Sequence, residues 1–483
     1  MSAVSHVIGH ADGLVGNVLE QSVRSHHRRR LQRLGHADVL DSSATEWWVP
    51  AAQPPRPGNS LEVLVDGETA LGAVFDALAS ATSHVHIAGW HLTPGFRLRR
   101  DNDTPQLVDL LAELAQRLHV RVLLWAGPPL PVFEPTRSMM NAVRDELTTG
   151  TKVQCALDAR ERTLHCHHEK VIVVDDEIAF VGGIDLSDLS GDRWDRQGHP
   201  PRGAIGWHDV STRLRGPIVA DVAQHFRHRW QEVAHEEIAE PVVPPPAGRV
   251  TVQLVRTVAE RQYRFAPAGE FTILDGYLRA LRSARRFIYL ENQFLWSSEI
   301  VKILVDKLRH PPTPDFRIVL VLPSRPSSGA DTTRGQLGCL VEADNGGRLL
   351  AATLIAEDGQ PTSAAYVHAK VGIVDDRWLT IGSANLNEHS LFNDTEVNVI
   401  TVDPELARGT RLRLWAEHLD RPESDIDGDP SVVIDTFWKV FAEEQLARTR
   451  AGLVPTRRIS RLPAVSRRSE RLSGPARGLL VDG

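Results

Sequence analysis

Residues 167–185 read HHEKVIVVDDEIAFVGGID, and residues 367–385 read VHAKVGIVDDRWLTIGSAN. Each segment contains a histidine and a lysine two positions apart, then an apolar run, an aspartate and a turn of small residues. The chain has 21 histidines and places lysine at only six positions, because arginine supplies most of its positive charge. An H-x-K triplet is therefore expected less than once by chance. Two copies that lie 200 residues apart in the same frame indicate an internal duplication.

The elements that flank the two copies repeat in the same order. In the first half, alternating strands and helices are predicted at 61–67, 70–81, 84–92, 106–118 and 120–127. In the second half, the matching elements are predicted at 250–257, 272–284, 286–294, 299–309 and 316–323. Buried strands that alternate with helices at apolar 3.6-residue spacing indicate an α/β fold. We therefore expect two tandem α/β domains, packed as a pseudo-twofold pair around one shared active site.

A proline-rich segment, AEPVVPPPAG at 239–248, nearly bisects the chain and is typical of a linker. It sets the predicted boundaries: an N-terminal extension (1–58), a first repeat (59–238), the linker (239–248), a second repeat (249–445) and a tail (446–483). The tail is basic and rich in proline and serine, so we expect it to be disordered. Either end could contact anionic lipid headgroups, but solvated ends are the favoured interpretation.

Composition limits the function classes. The chain is 42% hydrophobic and 24% charged, which is typical of a soluble globular protein, and its net charge of −7 disfavours a nucleic-acid partner. Three cysteines (Cys155, Cys166 and Cys339) argue against a disulfide framework. No apolar run approaches the roughly 20 residues that span a bilayer, and the N-terminus lacks a signal-peptide core. We expect a cytoplasmic monomer that at most touches a membrane peripherally.

The spacing of histidine and lysine in the motif indicates which chemistry they can perform. Residues i and i+2 of a strand point to the same face, so His168 and Lys170 should project together, as should His368 and Lys370. If the halves face each other, two imidazoles and two ammonium groups converge on one site that suits a phosphate. One imidazole can attack phosphorus while the other protonates the leaving oxygen, and the lysines stabilise the developing charge. This chemistry requires no metal or other cofactor.

Two other readings of the motif residues remain open. The sequence HCHH could bind zinc through His165, Cys166 and His167, but no second ligand pair at metal spacing follows, so this reading is disfavoured. Asp175 and Asp375 are catalytic candidates by their place in the motif. They could equally be turn carboxylates that cap the end of a strand.

The paired H-x-K-x4-D-x6-G-(S/G) elements resemble the phospholipase D superfamily, over roughly residues 60–445. Further segments make the chain most similar to the phospholipase D enzymes proper: AGWHLTP (88–94), GGIDL (182–186), RWD (193–195), WHDV (207–210), IYLENQF (288–294) and RLRLWAEHL (411–419). The resemblance implies a covalent phosphohistidine intermediate, with His168 as nucleophile and His368 as general acid and then base. It also implies that a carboxylate orients each histidine; Glu396 occupies that position in the second half, and Asp209 is the counterpart for His168.

Other residues of these segments are substrate-binding candidates: Gly183, Asp185, Ser383, Asn385, Trp194 and Trp207. The polar side chains among them could bind phosphate oxygens or the lysines, and the tryptophans would form the pocket rim. The first motif ends in GG-x-D rather than GS-x-N, so Asp185 should bind less directly than Asn385. Glu291 and Asn292 are expected to brace the site, and Gln293 is a weaker candidate for substrate contact.

The resemblance implies hydrolysis of a phosphatidylcholine-like phospholipid to phosphatidic acid and free alcohol, with transphosphatidylation to other alcohols. The nearest alternative is a phosphatidyltransferase similar to cardiolipin synthases. A nuclease would require a basic substrate groove, which the acidic balance disfavours. An inactive scaffold protein should have lost part of a motif, and both motifs are intact here.

Overall fold

A computed structural model describes residues 21–41, 46–101, 103–129, 134–161, 165–187, 206–324, 330–356 and 365–462. Helices α1 to α7 are 21–34, Asp66–Ala79, Leu107–Leu114, Arg137–Thr148, Ile218–Ala234, Thr272–Ser283 and Ser298–Arg309. Helices α8 to α13 are Ala330–Ala343, Glu388–Phe392, Pro404–Leu419, Glu423–Ile426, Pro430–Val433 and Lys439–Arg450. A 3₁₀ turn covers Ala37–Asp41, and a π turn, Ile434–Trp438, joins α12 to α13. In the part of the chain covered above, no helix is both long and apolar enough to span a membrane.

Strands β1 to β9 are Arg56–Val65, His84–Gly89, His119–Trp125, Gln154–Asp158, Val171–Val174, Ile178–Gly182, Trp207–His208, Val210–Arg215 and Val250–Val258. Strands β10 to β18 are Glu270–Phe271, Phe287–Glu291, Arg317–Val321, Leu349–Leu354, Tyr366–Val367, Val371–Val374, Trp378–Gly382, Glu396–Thr401 and Ile459–Arg461. Each strand and helix predicted above is present within a few residues of its expected bounds.

The sheet shows the duplication directly. Its order is β18-β13-β12-β11-β15-β16-β17-β9-β1-β8-β6-β5-β2-β3-β4, with β10 paired to β9. Read outward from the centre, β1-β8-β6-β5-β2-β3-β4 matches β9-β17-β16-β15-β11-β12-β13. The halves join where β1 runs antiparallel to β9. The predicted fold is confirmed: two similar α/β halves form a pseudo-twofold pair.

Helices cover both faces of this sheet, which explains why its strands are apolar throughout rather than alternating. In β5, Ile172 and Val174 pack with α2 and α3, whereas Val171 and Val173 face a core that includes α5. The second half repeats this pattern, with α6 and α7 on one face and α10 on the other. Because α5 and α10 share one core with strands of both halves, the halves are packed together rather than linked loosely.

The expectation of solvated ends is wrong for the described parts of both ends. Helix α1 packs on the second half, where Arg30 pairs with Glu260 and His27 stacks on Phe392 at 3.9 Å between ring centroids. At the other end, β18 adds to the sheet edge beside β13, and its Ile459 is fully buried. Both segments are basic, but a few apolar or paired side chains in each are enough to hold them on the domain.

Candidate active site

The two H-x-K segments lie just before strands β5 and β15, which begin at Val171 and Val371, not within them as predicted. Each segment is hydrogen-bonded to the other half of the molecule. The His168 amide donates to the carbonyl of Thr395 at 3.0 Å, and the His368 amide donates to the carbonyl of His208 at 2.8 Å. These contacts bring both motifs to the boundary between the halves.

The same pairing determines which carboxylate holds which histidine. His168 Nδ1 is 3.0 Å from Glu396 Oε1, and His368 Nδ1 is 2.6 Å from Asp209 Oδ2. The predicted pairing of Asp209 with His168 is therefore wrong, since each histidine is held by a carboxylate from the opposite half. The reason is topological: each H-x-K segment runs parallel to the chain that carries the other half's carboxylate.

This geometry defines the chemical state of the imidazoles. A carboxylate only accepts hydrogen bonds, so the Nδ1 atoms donate, and Nε2 of each ring is the nitrogen left to exchange a proton or present a lone pair when the ring is neutral. His168 and His368 are buried, with 4% and 7% of their surface exposed. Two imidazoles held in this way can each accept or deliver a proton, or form a bond to phosphorus, through Nε2.

The two lysines fold back toward the histidines. Lys170 Nζ donates to the carbonyl of His168 at 2.8 Å and lies 3.2 Å from Asp185 Oδ2, as the sequence allowed. Lys370 Nζ also donates to the carbonyl of its own histidine, His368, and lies 3.5 Å from Gln293 Oε1. Asn385 Nδ2 donates to the same Gln293 oxygen at 3.3 Å.

The charges of both pairs act on His368. Burial and then the charge of Lys370 lower the pKa of His368 to about 4, although Asp209 acts in the opposite direction. The charge of Lys170, from the other half, contributes to the same lowering. Burial would raise the pKa of Asp209, but His368 and Lys370 more than offset it and hold that pKa below its usual value.

The small residues at the end of each motif make room for the carboxylates. A Cβ atom on Gly183 would lie 2.2 Å from Asp209 Oδ1, so this position must be glycine while Asp209 keeps its place. The counterpart, Ser383, donates its hydroxyl to Glu396 Oε2, and Ser390 donates to Glu396 Oε1 at 2.6 Å. Ser383 and Gly183 therefore position the carboxylates, and their contact with substrate stays a prediction.

The catalytic reading of Asp175 and Asp375 is wrong. Asp175 accepts hydrogen bonds from the backbone amides of Thr82, Ser83 and His84, and Asp375 does the same for residues 285–287. Each aspartate follows its lysine by five residues of extended chain, or roughly 16 Å. These carboxylates fix the turns at the far ends of β5 and β15.

The remaining candidates are distributed as follows. The Trp207 ring centroid is 4.8 Å from that of His368, so Trp207 does line the site, whereas Trp194 lies outside the described residues. Cys166 is buried against Trp125, and His167 Nε2 is 3.1 Å from Asp158. These two residues of HCHH are therefore committed to the core.

Sequence reasoning missed the depth of the polar layer behind Asp209. His208 Nδ1 is 2.9 Å from Asp66 and its Nε2 is 2.8 Å from Glu291, whose other oxygen lies 2.9 Å from His418. The segment IYLENQF indicated that Glu291 and Asn292 brace the site. His208 and His418 lie in two other quoted segments, WHDV and RLRLWAEHL, and nothing in the sequence shows that both contact Glu291. Trp90 was also missed as a lysine partner: Lys170 Nζ lies 5.9 Å from the centroid of its ring.

Known proteins resemble this chain in sequence and fold. A family model described as "Cardiolipin synthase, PLD-like domain" matches residues 277–414. Phospholipase D alpha 1 of Nicotiana tabacum is 26% identical over an alignment of 556 positions, which covers 78% of this chain and 68% of that enzyme. Phospholipase D A of Dictyostelium discoideum is 26% identical over 463 residues, 76% of this chain but 36% of that protein.

Among solved structures, the phosphatidylserine synthase of Haemophilus influenzae Rd KW20 aligns with a TM-score of 0.53 at 11% identity. The alignment covers 84% of this chain and 97% of that one, so the two share a fold. The paired motifs and these similarities agree: over most of its length the chain is similar to enzymes named phospholipase D, and residues 277–414 match a PLD-like domain.

Proposed function

We propose that this protein is a phospholipase D-type phosphodiesterase that cleaves the distal phosphodiester of glycerophospholipids and can transfer the phosphatidyl group to an alcohol. One observation carries the proposal: two carboxylate-held histidines and two lysines from opposite halves share one site. The relatives named phospholipase D support a phospholipid substrate.

In the first step, His168 Nε2 attacks phosphorus. The N–P bond forms as the bond from phosphorus to the headgroup oxygen breaks, and His368 Nε2–H gives its proton to the departing alcohol. Glu396 holds the proton on Nδ1 of His168 and stabilises the positive charge that develops on that ring. Lys170 and Lys370 stabilise the phosphoryl oxygens, so the charge of the transition state is balanced by protein groups.

In the second step, His368 accepts a proton from water, whose oxygen attacks phosphorus and releases His168 with phosphatidic acid as product. A primary alcohol in place of water gives a phosphatidyl alcohol instead. Because the pKa of His368 is about 4 in the free site, the anionic phosphodiester must raise it before His368 can act as an acid. Binding of substrate thus supplies the charge that makes the acid competent.

The test is a lipid panel with and without ethanol. Phosphatidylcholine vesicles should yield phosphatidic acid and choline, and ethanol should divert product to phosphatidylethanol. His168→Asn is the control for contaminating enzymes, and bis(p-nitrophenyl) phosphate with single-stranded DNA measures phosphodiesterase activity unrelated to lipid. Hydrolysis of DNA at a rate equal to that of lipid, or no lipid turnover at all, would contradict the proposal.

A second candidate is phosphatidyl transfer to a lipid acceptor, which the matching family model favours through its description. In that case phosphatidylglycerol vesicles would give cardiolipin and glycerol faster than phosphatidylcholine vesicles give choline. Both reactions use the same phosphohistidine step, and only the acceptor differs. The same panel therefore distinguishes them by product.

A further inference from the structure

A second group of histidines and a carboxylate lies beside the active site. His165 Nδ1 and His389 Nδ1 are 3.0 Å apart, and Asp394 Oδ1 is 3.5 Å from His165 Nδ1. The three ligand atoms lie within 4.8 Å of one another. His165 comes from the first half and the other two residues from the second, so this cluster, like the catalytic pairs, spans the boundary between the halves.

The local backbone fixes these positions. In the short helix α9, Asn387 caps the first turn through Ser390, and the His389 carbonyl accepts from the amides of Asn393 and Asp394 at 2.8 and 2.9 Å. This tight turn brings His389 and Asp394 together. The Cys166 amide then donates to Asp394 Oδ1 at 2.9 Å, which holds the neighbouring His165 against them.

One oxygen of this group is left unexplained by protein contacts. Asp394 is fully buried, yet its Oδ2 receives no hydrogen bond from any residue that the structure describes. A buried carboxylate oxygen without a donor is unfavourable, because it has lost its hydration and gained no hydrogen bond in return. A hydrogen bond between His165 and His389 would give one ring N–H an acceptor, but Asp394 Oδ2 would still have no donor.

The spacing matches that of ligands around a small divalent ion. Four ligands at about 2.0–2.1 Å from a tetrahedral centre lie roughly 3.3–3.4 Å from one another. The two distances from His165 Nδ1, 3.0 Å to His389 Nδ1 and 3.5 Å to Asp394 Oδ1, lie on either side of this value, and the third separation is at most 4.8 Å. Two imidazole nitrogens and one carboxylate oxygen are ligands that first-row divalent metals prefer, zinc among them. The His165 side chain is 18% exposed, which gives an ion a route of entry.

We propose that His165, His389 and Asp394 form a structural metal site that binds one divalent first-row ion, with zinc as the ion tested first, and clamps the two halves together. In this proposal His165 is the one ligand from HCHH, Cys166 and His167 lie in the core, and the second ligand pair comes from the other half. The ion would hold the segment that ends in Glu396 against the segment that ends in His168. It takes no part in phosphoryl transfer.

The experiment uses untagged full-length protein that has been treated with chelator and dialysed. After one equivalent of Zn²⁺ and gel filtration, elemental analysis should find one zinc per chain. With free zinc at about 1,000 times the dissociation constant, the thermal midpoint should rise by roughly 4–8 °C. His165→Asn and Asp394→Asn should abolish both effects. His119→Asn, which changes an exposed histidine elsewhere, should leave them unchanged.

Two results would overturn the site. Failure of the wild-type protein to retain zinc, manganese, iron, cobalt or nickel would do so, as would zinc retention by His165→Asn at the wild-type stoichiometry. His165 is partly exposed, so that variant should fold even if Asp394→Asn does not. His168→Asn should bind zinc normally, and metal-free protein kept below its thermal midpoint should still turn over lipid. These two controls separate the metal site from the proposed function.

Discussion

His168 and His368 occupy equivalent positions in the two halves, but their carboxylates differ. Glu396 reaches His168 through a longer side chain and accepts from the hydroxyls of Ser383 and Ser390 as well. Asp209 reaches His368 through a shorter side chain. It lies so close to Gly183 that any side chain at position 183 would clash with it. The duplicated frame keeps the imidazole–carboxylate geometry, while the groups around it have diverged.

The lysines differ in the same manner. Trp90 and Gln293 are equivalent by strand register, yet Lys170 faces the ring of Trp90 and pairs with Asp185, whereas Lys370 approaches Gln293. One ammonium is thus held by a carboxylate and an aromatic face, and the other by neutral amide groups. A phosphodiester has two unequal sides, and the two halves of the site are correspondingly unequal.

The residue between the histidine and the lysine also differs between the two motifs. Glu169, between His168 and Lys170, is buried with His225 and Arg229, and these charges hold its pKa at about 2 despite burial. Its counterpart, Ala369, lies in an apolar core. The position between the histidine and the lysine is therefore charged and ion-paired in the first motif and apolar in the second.

The sharpest test of this comparison removes each imidazole in turn. His168→Asn and His368→Asn should each lower kcat by about 10⁴-fold, since either change eliminates the nucleophile or the proton donor. Rapid denaturation at alkaline pH, where the N–P bond of phosphohistidine is stable, during turnover of a phosphate-labelled short-chain lipid should trap label on His168 in the wild type. Label on His368 would reverse the two roles, and absence of any label under single-turnover conditions would exclude a covalent intermediate that accumulates.

The lysines come next. Lys170→Arg and Lys370→Arg should lower kcat by about 10²–10³-fold, because a planar guanidinium does not replace a compact ammonium in this geometry. The loss should be greater for Lys370, which is fully buried beside Gln293, than for Lys170. Steady-state kinetics on short-chain phosphatidylcholine measure both. Near-normal rates for either variant would contradict the placement of that side chain.

The polar support of the first half can be tested by stability. Arg229 is 1% exposed and binds both Glu169 and Asp158, so Arg229→Met should cost about 3–5 kcal/mol of unfolding free energy. Arg411→Met serves as a comparison in the second half, where one partly exposed carboxylate, Asp376, would lose its partner. Urea unfolding should show the smaller loss for Arg411→Met. Equal losses of unfolding free energy would mean that the ion pairs of Arg229 and Arg411 contribute equally to stability.

The smallest expected effect is the loss of folding stability at acidic pH. The pKa of His368 is lowered to about 4 in the folded protein from 6.5, so the unfolded chain takes up this proton first as pH falls. Stability from this group is complete above pH 6.5 and declines between pH 6.5 and 4, by up to about 3 kcal/mol. His368→Asn should flatten that part of the urea-midpoint profile, with His119→Asn as control. An unchanged slope would show that His368 is not held neutral.

Much of this arrangement could be predicted from the sequence, because apolar periodicity and the repeated frame are local signals. They gave the order of elements, the pseudo-twofold fold and the convergence of the two H-x-K segments. The pairing of Glu396 with His168 could not be predicted, since it depends on how one half runs beside the other. Asp175 and Asp375 show a further limit: a repeated aspartate can mark a turn needed twice as well as a catalytic group.

The central claim is that each half supplies the carboxylate for the other half's histidine. Nitrogen-15 NMR of the histidine rings tests it without substrate, with resonances assigned from His168→Asn and His368→Asn. Asp209→Asn should shift the Nδ1 signal of His368 and leave that of His168 nearly unchanged, and Glu396→Gln should do the opposite. If Asp209→Asn shifted His168 instead, the crossed arrangement would be wrong.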